Sequence, residues 1–366
     1  MDLRNIIIQK ILDEGPVSFR DYMNMALYYP GLGYYTSAKN PVGKRGDFFT
    51  SPYISRAFGA MIGRQIEEFS KQMNGLFTIV EYGAGTGLLC HDILEYLKSN
   101  PAFYDSLRYV IIEKNIVARR LSEKYLPEKV TWLDSPEKLG YIQGCVLSNE
   151  LFDNFPVHRI VVNDQQIGEI FIDFRNELYE LLKPAGLYIT DHVPLANTTV
   201  SKPIHSEICL DAGDWFANIS AHLLRGYIIT IDYGYLGSGV CDLNERQNSL
   251  RCYHNHQVND NPYQEIGDQD ITADVNFYAL HYWGQQNGFE FDGFVNQANF
   301  LRALGFAPYL SGMNDSEENK KFALNMLINR MGVAFKVLIQ RKGLGYMPLR
   351  GLSFAEPIRN KLNTAV

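Results

Sequence analysis

Short apolar runs alternate along the middle of the chain with segments in which apolar residues recur at spacings of three and four. The runs predict buried strands, and the spacing predicts helices. Strands are predicted at 77–82, 109–113, 130–133, 145–149 and 226–232. Helices are predicted at 58–73, 88–97, 215–224 and 272–287, with a polar helix that ends near residue 125. This alternation predicts an α/β fold in which helices cover both faces of a mostly parallel sheet.

The pattern is different on either side of this region and inside it. The first 50 residues are rich in Tyr, Pro and Gly, which predicts an ordered loop with turns. Apolar and polar residues alternate within 157–208, which predicts antiparallel strands in an inserted lobe. A long polar loop is predicted over 233–270, and strands at 289–295 and 333–339 are predicted to form an antiparallel edge of the sheet.

These changes of pattern divide the 366 residues into regions, and the chain is long enough for one large domain or two. The predicted regions are an N-terminal helical and loop segment (1–75), a main domain (76–156 and 209–340), the inserted lobe (157–208) and a C-terminal tail (341–366).

Composition and charge exclude several classes of protein. Hydrophobic residues make up 46% of the chain and charged residues 20%, which is typical of a globular protein and not of a disordered or fibrous one. The net charge of −7 argues against a broadly basic nucleic-acid binder. No apolar run approaches the roughly 20 residues that span a bilayer, and the N-terminus lacks the features of a signal or transit peptide.

The chain has five cysteines, an odd number, and none of them forms a Cys-x-x-Cys pair. This usage argues against structural zinc and against a disulfide scaffold. A reducing compartment is the default for such a chain, so we expect a cytoplasmic protein. From the net charge and the absence of a long apolar run, we expect that it neither binds nucleic acid nor inserts into a membrane. Its oligomeric state is left open.

The first predicted strand runs into the sequence Glu-Tyr-Gly-Ala-Gly-Thr-Gly at 81–87, which we call the glycine turn. Its glycines allow a tight turn and a close approach of a ligand, and the following helix offers free N–H groups. A dinucleotide site requires a further glycine where Leu88 stands. Glu81 would repel a pyrophosphate but suits the ammonium group of S-adenosyl-L-methionine (SAM), so SAM is favoured over NAD. The predicted cofactor-binding residues of the turn are Glu81, Gly83, Ala84, Gly85 and Gly87.

Polar residues also stand at the ends of the next three predicted strands. Glu113 is expected to accept hydrogen bonds from both ribose hydroxyls, and Asp134 and Ser135 to lie at the adenine amino group. Asn149 and Glu150 are expected to face the methyl group. Because α/β sheets bind ligands at the carboxyl ends of their strands, these positions support one nucleotide-like site.

The polar loop contains a set of side chains that could imitate a metal site, namely His254, His256, Asp268 and Asp270. Their spacing matches no standard zinc signature. We therefore predict no metal, and expect these residues to order the loop or to provide a histidine that accepts a proton after the reaction.

Several further segments carry a combined pattern. They are 25–35, 46–52, 148–159, 232–234 and the stretch from 250–253 through 270–272. Together with the glycine turn they resemble the MidA-like family of SAM-dependent methyltransferases, which includes a mitochondrial complex I assembly factor that methylates arginine. The chain departs from that pattern at Tyr53, where Glu is expected, and at Asn248-Ser249, where Gly-Thr is usual.

The resemblance implies a class I, Rossmann-like methyltransferase fold with an N-terminal segment over the cofactor. It adds Phe48, Thr50 and Ser51 to the predicted cofactor-binding residues. It also suggests an arginine side chain of a protein as the acceptor, and a respiratory complex I subunit as one such protein.

Methyl transfer from SAM is an in-line displacement that needs neither a metal nor a covalent nucleophile, so alignment and electrostatics carry it. An arginine acceptor is cationic, and carboxylates must hold it. The first catalytic candidates are Glu150 and Asp153, and the second is Asp232 at the end of the fifth strand. The structural alternative for Asp153 is a helix N-cap. Two other functions stay open, a small-molecule methyltransferase and a SAM-binding assembly factor or scaffold.

Overall fold

The computed structural model of the protein describes residues 2–37, 50–127, 129–163, 166–193, 202–243 and 249–355. Its strands are β1 (Val17–Ser18), β2 (Phe77–Tyr82), β3 (Leu107–Ile112), β4 (Val130–Leu133), β5 (Ile142–Asn149), β6 (His158–Asn163), β7 (Gln166–Phe174), β8 (Leu178–Pro184), β9 (Ile204–Ile208), β10 (Leu223–Tyr235), β11 (Arg251–His254), β12 (Gln257–Asn259), β13 (Asp270–Thr272), β14 (Val275–Asn276), β15 (Glu290–Asn296) and β16 (Phe335–Lys342).

Its helices are α1 (Leu3–Glu14), α2 (Phe19–Tyr28), α3 (Ser51–Ile54), α4 (Arg56–Ser70), α5 (Leu88–Leu97), α6 (Pro101–Ser106), α7 (Ile116–Ser122), α8 (Leu187–Thr190), α9 (Asp211–His222), α10 (Phe277–Gln286), α11 (Gln297–Ala303), α12 (Phe306–Ser311), α13 (Glu317–Leu324) and α14 (Met331–Ala334). Short 3-10 turns lie at Pro136–Lys138, Phe152–Asn154 and Arg350–Leu352, and a π-helical turn lies at Asn325–Arg330. Within these ranges, no helix combines the length and the apolar character that crossing a membrane requires.

The central sheet has the strand order β15-β16-β10-β5-β2-β3-β4. Strands β10, β5, β2, β3 and β4 are parallel, while β16 pairs antiparallel with both β10 and β15. The prediction of a mostly parallel α/β sheet with an antiparallel edge is therefore confirmed. Every residue of β2 is buried, including the polar Thr78 and Glu81, and the other four residues of the strand are apolar or aromatic, as expected for a strand covered on both faces.

Helices pack on both faces of this sheet. On one face α4 and α5 bury an apolar cluster that includes the stacked rings of Phe69 and Tyr227, whose centroids are 3.9 Å apart. On the other face α9 and α10 contribute Phe216 and Phe277 to a second cluster. The predicted helices at these places are confirmed, with shifts of a few residues at their ends.

The predicted strands of the inserted lobe are present as β6, β7 and β8, and β9, which was not predicted, pairs with β6. The lobe sheet also includes β1 from the N-terminal segment, where Val17 pairs with Ile172 of β7. Helix α2 lies against this sheet and buries Phe19 and Met23 in the same cluster as Ile172. The lobe therefore supports the N-terminal segment, whereas the division of the chain into domains stays a prediction.

Two predictions of loop are wrong in part. The first 50 residues contain α1 and α2 because apolar side chains such as Ile7 and Ile11 recur at helical spacing, and because the Ser18 hydroxyl accepts the Asp21 N–H as an N-cap. The polar segment 233–270 contains β11 and β12 and ends at the first residue of β13, and these three strands form a small antiparallel sheet in the order β12-β11-β13. These strands are three or four residues long, too short for a local pattern to identify.

Candidate active site

A cavity of about 890 Å³ lies at the carboxyl ends of β2, β3, β4 and β5. The N-terminal segment contributes part of its wall through Asn24, Tyr28 and Tyr35. Among the described residues that line it, the carboxylates are Glu81, Glu113, Asp134, Glu150, Asp153, Asp211, Asp214 and Asp270. Lys114 is the only lysine or arginine among those same lining residues. The cavity is therefore electrostatically suited to a cationic ligand.

The glycine turn forms one side of this cavity. Gly83, Gly85 and Gly87 have φ angles of 68°, 52° and 74°, in the left-handed region that favours glycine. A side chain at Gly85 would meet nothing within 4 Å of its Cβ, so it would project into open space at the cavity wall. Gly87 packs instead against α7, and it is not among the described lining residues. The turn thus leaves its backbone accessible from the cavity, and its contact with a ligand stays a prediction.

Glu113 fixes the shape of the turn. One carboxylate oxygen accepts the Gly85 N–H at 2.8 Å, and the other accepts the Asn115 N–H at 2.7 Å. Burial raises the pKa of this carboxyl, and the backbone N–H groups oppose that rise. A carboxylate can accept about four hydrogen bonds, so two positions remain for ribose hydroxyls. The ribose-binding role of Glu113 stays a prediction.

Glu81 lines the cavity, but it also has a partner inside the protein. Its carboxylate accepts the hydroxyl of buried Tyr109 at 2.7 Å, and burial raises its pKa to about 7. This contact could not be predicted from the sequence, because Tyr109 lies on the neighbouring strand β3. The expected contact of Glu81 with the ammonium group of SAM stays a prediction.

Glu150 stands at the end of β5 in an unusual backbone conformation. Its φ is +53°, which is rare for a residue other than glycine and is often found at functional sites. Its Oε1 accepts the Asn149 amide at 2.9 Å and the Ser51 N–H at 3.2 Å. Burial and then the nearby Asp153 raise the pKa of Glu150 to about 8. Predicted residues Asn149, Glu150 and Ser51 are thus brought together.

Asp153 lies in the short turn after β5, and only 5% of its surface is exposed. Its Oδ1 has no hydrogen-bond partner among the described residues, although the Tyr233 hydroxyl is nearby. Burial raises the pKa of Asp153 to about 7. A buried carboxylate oxygen without a partner at a cavity wall is available to a cationic ligand.

Asp232 is placed differently from its prediction as a second catalytic candidate. Its Oδ2 accepts the backbone N–H groups of Leu151, Phe152 and Asp153 at 3.1, 2.9 and 3.3 Å. It is fully buried and is not among the described residues that line the cavity. Asp232 therefore holds the turn that carries Glu150 and Asp153. The capping role considered for Asp153 belongs to Asp232.

Replacing Asp232 with asparagine is expected to lower the free energy of unfolding by about 1–3 kcal/mol. The reason is that one carboxylate oxygen is replaced by an NH2 group, which cannot accept hydrogen bonds from the backbone N–H groups it faces. Oδ1 accepts the Tyr233 N–H, so either orientation of the amide leaves a donor unpaired. Urea unfolding measures this loss, with Asp13→Asn on the exposed face of α1 as the control. Equal stability of the Asp232 variant and the wild type would contradict the role.

Asp270 lines the cavity, whereas from the sequence it was expected to help order the polar loop. The structure brings it from the polar segment to the cavity wall, where Asp270 is 2% exposed. Its Oδ2 accepts the Tyr35 hydroxyl at 2.9 Å, and its Oδ1 accepts the Asn154 amide at 3.0 Å. Burial and then Asp153 raise its pKa. Its signals in the sequence were its place in the family-like segment 250–272 and in the set of side chains that could imitate a metal site.

The other predicted residues are divided between the cavity and its surroundings. Thr50 and Asp134 line the cavity, and the Asp134 carboxylate is paired with Lys138 at 2.7 and 2.9 Å. Ala84 and Tyr53 also line it. Ser51, Gly87, Ser135 and Asp232 are not among the described lining residues, and Phe48 lies outside the described residues.

Two further features of the sequence have structural explanations. At the second departure, the Ser249 hydroxyl donates to Glu207 at 2.8 Å, while Asn248 lies outside the described residues. His254 donates through Nδ1 to the backbone carbonyl of Asp268 at 2.9 Å, which orders the loop as expected. In the described part of the chain, no three His, Cys, Asp or Glu side chains are arranged to hold a metal ion.

Comparison of the chain with known proteins identifies the family to which it is similar. A family model described as "Putative S-adenosyl-L-methionine-dependent methyltransferase" matches residues 61–295. The protein arginine methyltransferase NDUFAF7 homolog, mitochondrial, of Drosophila melanogaster is 26% identical over 92% of this chain and 84% of its own. Its Mus musculus counterpart is 28% identical over 90% of this chain and 82% of its own.

A crystal structure supports the same relationship. A protein from Burkholderia thailandensis, solved with S-adenosyl-homocysteine bound, superimposes with a TM-score of 0.88 at 25% identity, over 98% of this chain and 96% of that one. The resemblance inferred from the sequence, the Rossmann-like methyltransferase fold and SAM as the cofactor are thereby confirmed.

Proposed function

Because the chain belongs to this family of SAM-dependent methyltransferases, we propose that it methylates an arginine side chain of a protein. The observation that carries the choice of acceptor is the meeting of Glu150, Asp153 and Asp270 in the same cavity as the glycine turn. A guanidinium group is always cationic, and carboxylates are its natural partners. The names of the Drosophila and mouse relatives also support an arginine acceptor.

The residues of the chain divide the work between the two substrates. We assign Gly83, Ala84, Gly85 and Glu113 to hold SAM, which supplies a methyl group on a positively charged sulfur. Glu150 and Asp153 bind the guanidinium and reduce its repulsion by the sulfonium. Methylation of a guanidinium releases one proton, since the product keeps a single positive charge. In this proposal Glu150 accepts that proton.

Methyl transfer is expected to become faster as the pH rises from about 6 to about 8.5, because the pKa of Asp153 is about 7 and that of Glu150 about 8. Below these values the carboxyl groups are neutral and neither attract the guanidinium nor accept its proton. The rate is measured in single turnovers at saturating SAM, so that cofactor affinity does not contribute. A rate that falls or stays constant over this range would exclude the assigned roles.

The proposal is tested with SAM that carries a labelled methyl group. The protein is incubated with a lysate, and protein and small-molecule fractions are separated and hydrolysed. Label in methylarginine of the protein fraction is the expected result. Label in a metabolite would instead indicate a small-molecule methyltransferase, and SAM binding without transfer to either fraction would indicate a scaffold. That the acceptor is a subunit of a respiratory complex stays a prediction from the resemblance.

We also propose that the protein works in a reducing compartment and is cytoplasmic. All five cysteines lie within the described residues and are free thiols, and unpaired cysteines are typical of such compartments. Imaging of the tagged protein in its own cells would test this proposal.

A further inference from the structure

The motif at 28–35, Tyr-Tyr-Pro-Gly-Leu-Gly-Tyr-Tyr, has no role in the mechanism above. It forms a turn at the end of α2, where the Tyr35 N–H donates to the Leu27 carbonyl at 2.9 Å. At Gly33, a Cβ would lie 2.5 Å from the Tyr29 nitrogen, so a larger residue cannot follow this path. The turn brings the rings of Tyr28 and Tyr35 into a stack with centroids 5.7 Å apart.

Both tyrosines are attached to the acidic part of the cavity. The Tyr28 hydroxyl donates to the Asn154 carbonyl at 3.2 Å, and the Tyr35 hydroxyl donates to Asp270 at 2.9 Å. The Asn154 amide donates to the other oxygen of Asp270 at 3.0 Å. The stacked rings, the turn after β5 and strand β13 are therefore joined by one hydrogen-bond network.

This network fixes Asp270 at the wall of the same cavity as Asp153. The Ala273 N–H donates to the Asp153 carbonyl at 2.8 Å, which keeps β13 beside the turn. After burial, the nearby Asp153 carboxylate contributes to the raised pKa of Asp270. Asp270 accepts one hydrogen bond at each oxygen, so lone pairs remain for a ligand. The Asp153 Oδ1, buried and without a partner among the described residues, supplies an independent indication that a donor from a ligand belongs here.

We infer that Asp270, positioned by Tyr35, joins Glu150 and Asp153 in a pocket that selects a planar cation, so that an arginine is preferred over a lysine. A guanidinium presents N–H donors in one plane to carboxylates on separate segments and has flat faces that pack on tyrosine rings. An ammonium group is a compact point charge and offers neither feature. The inference rests on the proposed function and deepens it, because it names the residues that choose the acceptor.

The test measures binding, so that it does not depend on turnover. Capped Gly-Gly-Arg-Gly-Gly and Gly-Gly-Lys-Gly-Gly peptides are titrated into the protein saturated with S-adenosyl-homocysteine. We expect the wild type to bind the arginine peptide at least about tenfold more tightly. Asp270→Asn is expected to remove this preference, and Tyr35→Phe, which keeps the ring, to reduce it about fivefold.

The control is Tyr179→Phe, which removes a hydroxyl–carboxylate bond of 2.7 Å to Asp173 in the lobe. It should leave the preference unchanged, and all variants should keep their affinity for S-adenosyl-homocysteine. The inference would be overturned if the wild type bound the two peptides equally. It would also be overturned if Asp270→Asn and Tyr35→Phe both preferred the arginine peptide as strongly as the wild type does. Asp270→Asn could fail to fold, and Tyr35→Phe would then decide alone.

The peptide titrations and the labelling experiment together distinguish failure of this inference from failure of the proposed function. If labelled SAM methylates arginine but the variants keep the preference, the inference alone fails. If the wild type prefers the arginine peptide but never labels arginine in any protein, the proposed function alone fails.

Discussion

Replacing Glu150 with glutamine is expected to lower the turnover number by about 10³-fold, because the variant loses both the charge that faces the guanidinium and the group that accepts its proton. Glutamine has nearly the same shape, and its amide can keep an oxygen toward the Asn149 amide and the Ser51 N–H. The backbone φ of +53° is equally strained for both side chains. Affinity for SAM should therefore change by less than about twofold.

Two measurements on the same samples separate chemistry from binding. Quenched single-turnover experiments give the rate of methyl transfer. Calorimetric titration gives the affinity for S-adenosyl-homocysteine. The control is Glu317→Gln, whose side chain is 80% exposed on α13. Turnover at the wild-type rate in the Glu150 variant would remove this residue from the mechanism. A stable complex with an acceptor protein that forms equally well in wild type and variant would favour the scaffold function instead.

Replacing Gly85 with valine is expected to weaken binding of SAM and S-adenosyl-homocysteine at least about 100-fold, which corresponds to about 2.7 kcal/mol. The valine would project into the space beside the turn, and its β-branched side chain disfavours a φ of +52°. Any shift of the backbone would also disturb the 2.8 Å bond from the Gly85 N–H to Glu113, the predicted ribose ligand. Calorimetric titration of both ligands measures the change.

The matched control for backbone strain is Gly288→Val. Gly288 also has a positive φ, +79°, with nothing within 4 Å of a Cβ, but it lies between α10 and β15 and is not among the described lining residues. Both variants should lose similar stability, since the strain is similar. Only the Gly85 variant should lose the cofactor. Equal affinities in the two variants would show that the turn does not contact SAM.

The fold was predictable because its signals are local. A strand of a parallel sheet is buried on both faces, so apolar residues predominate in β2 and in the middle of β5. The glycine turn was predictable for the same reason, since three positive φ angles within five residues require glycines in the sequence itself. The helix α2 was missed because turn-forming residues 30–35 dominate the composition of its surroundings.

The roles of the acids were less predictable. Glu150 and Asp232 both stand near the ends of neighbouring strands, and nothing local distinguishes the one that lines the cavity from the one that holds backbone N–H groups. Nothing in the sequence indicated that Asp270 lines the cavity, because its partner Tyr35 is 235 residues away. Side chains so distant in sequence meet only through strand order and packing.

The sequence by itself thus determined the α/β class, the parallel sheet and the glycine turn, because periodicity, burial and backbone conformation act over a few residues. The tertiary structure alone decided which carboxylates share the cavity. It placed Ser51 against Glu150, 99 residues apart, and Asn154 against Asp270, 116 residues apart. Such contacts depend on how β5, β10 and β13 are arranged, and that arrangement results from the packing of the whole chain.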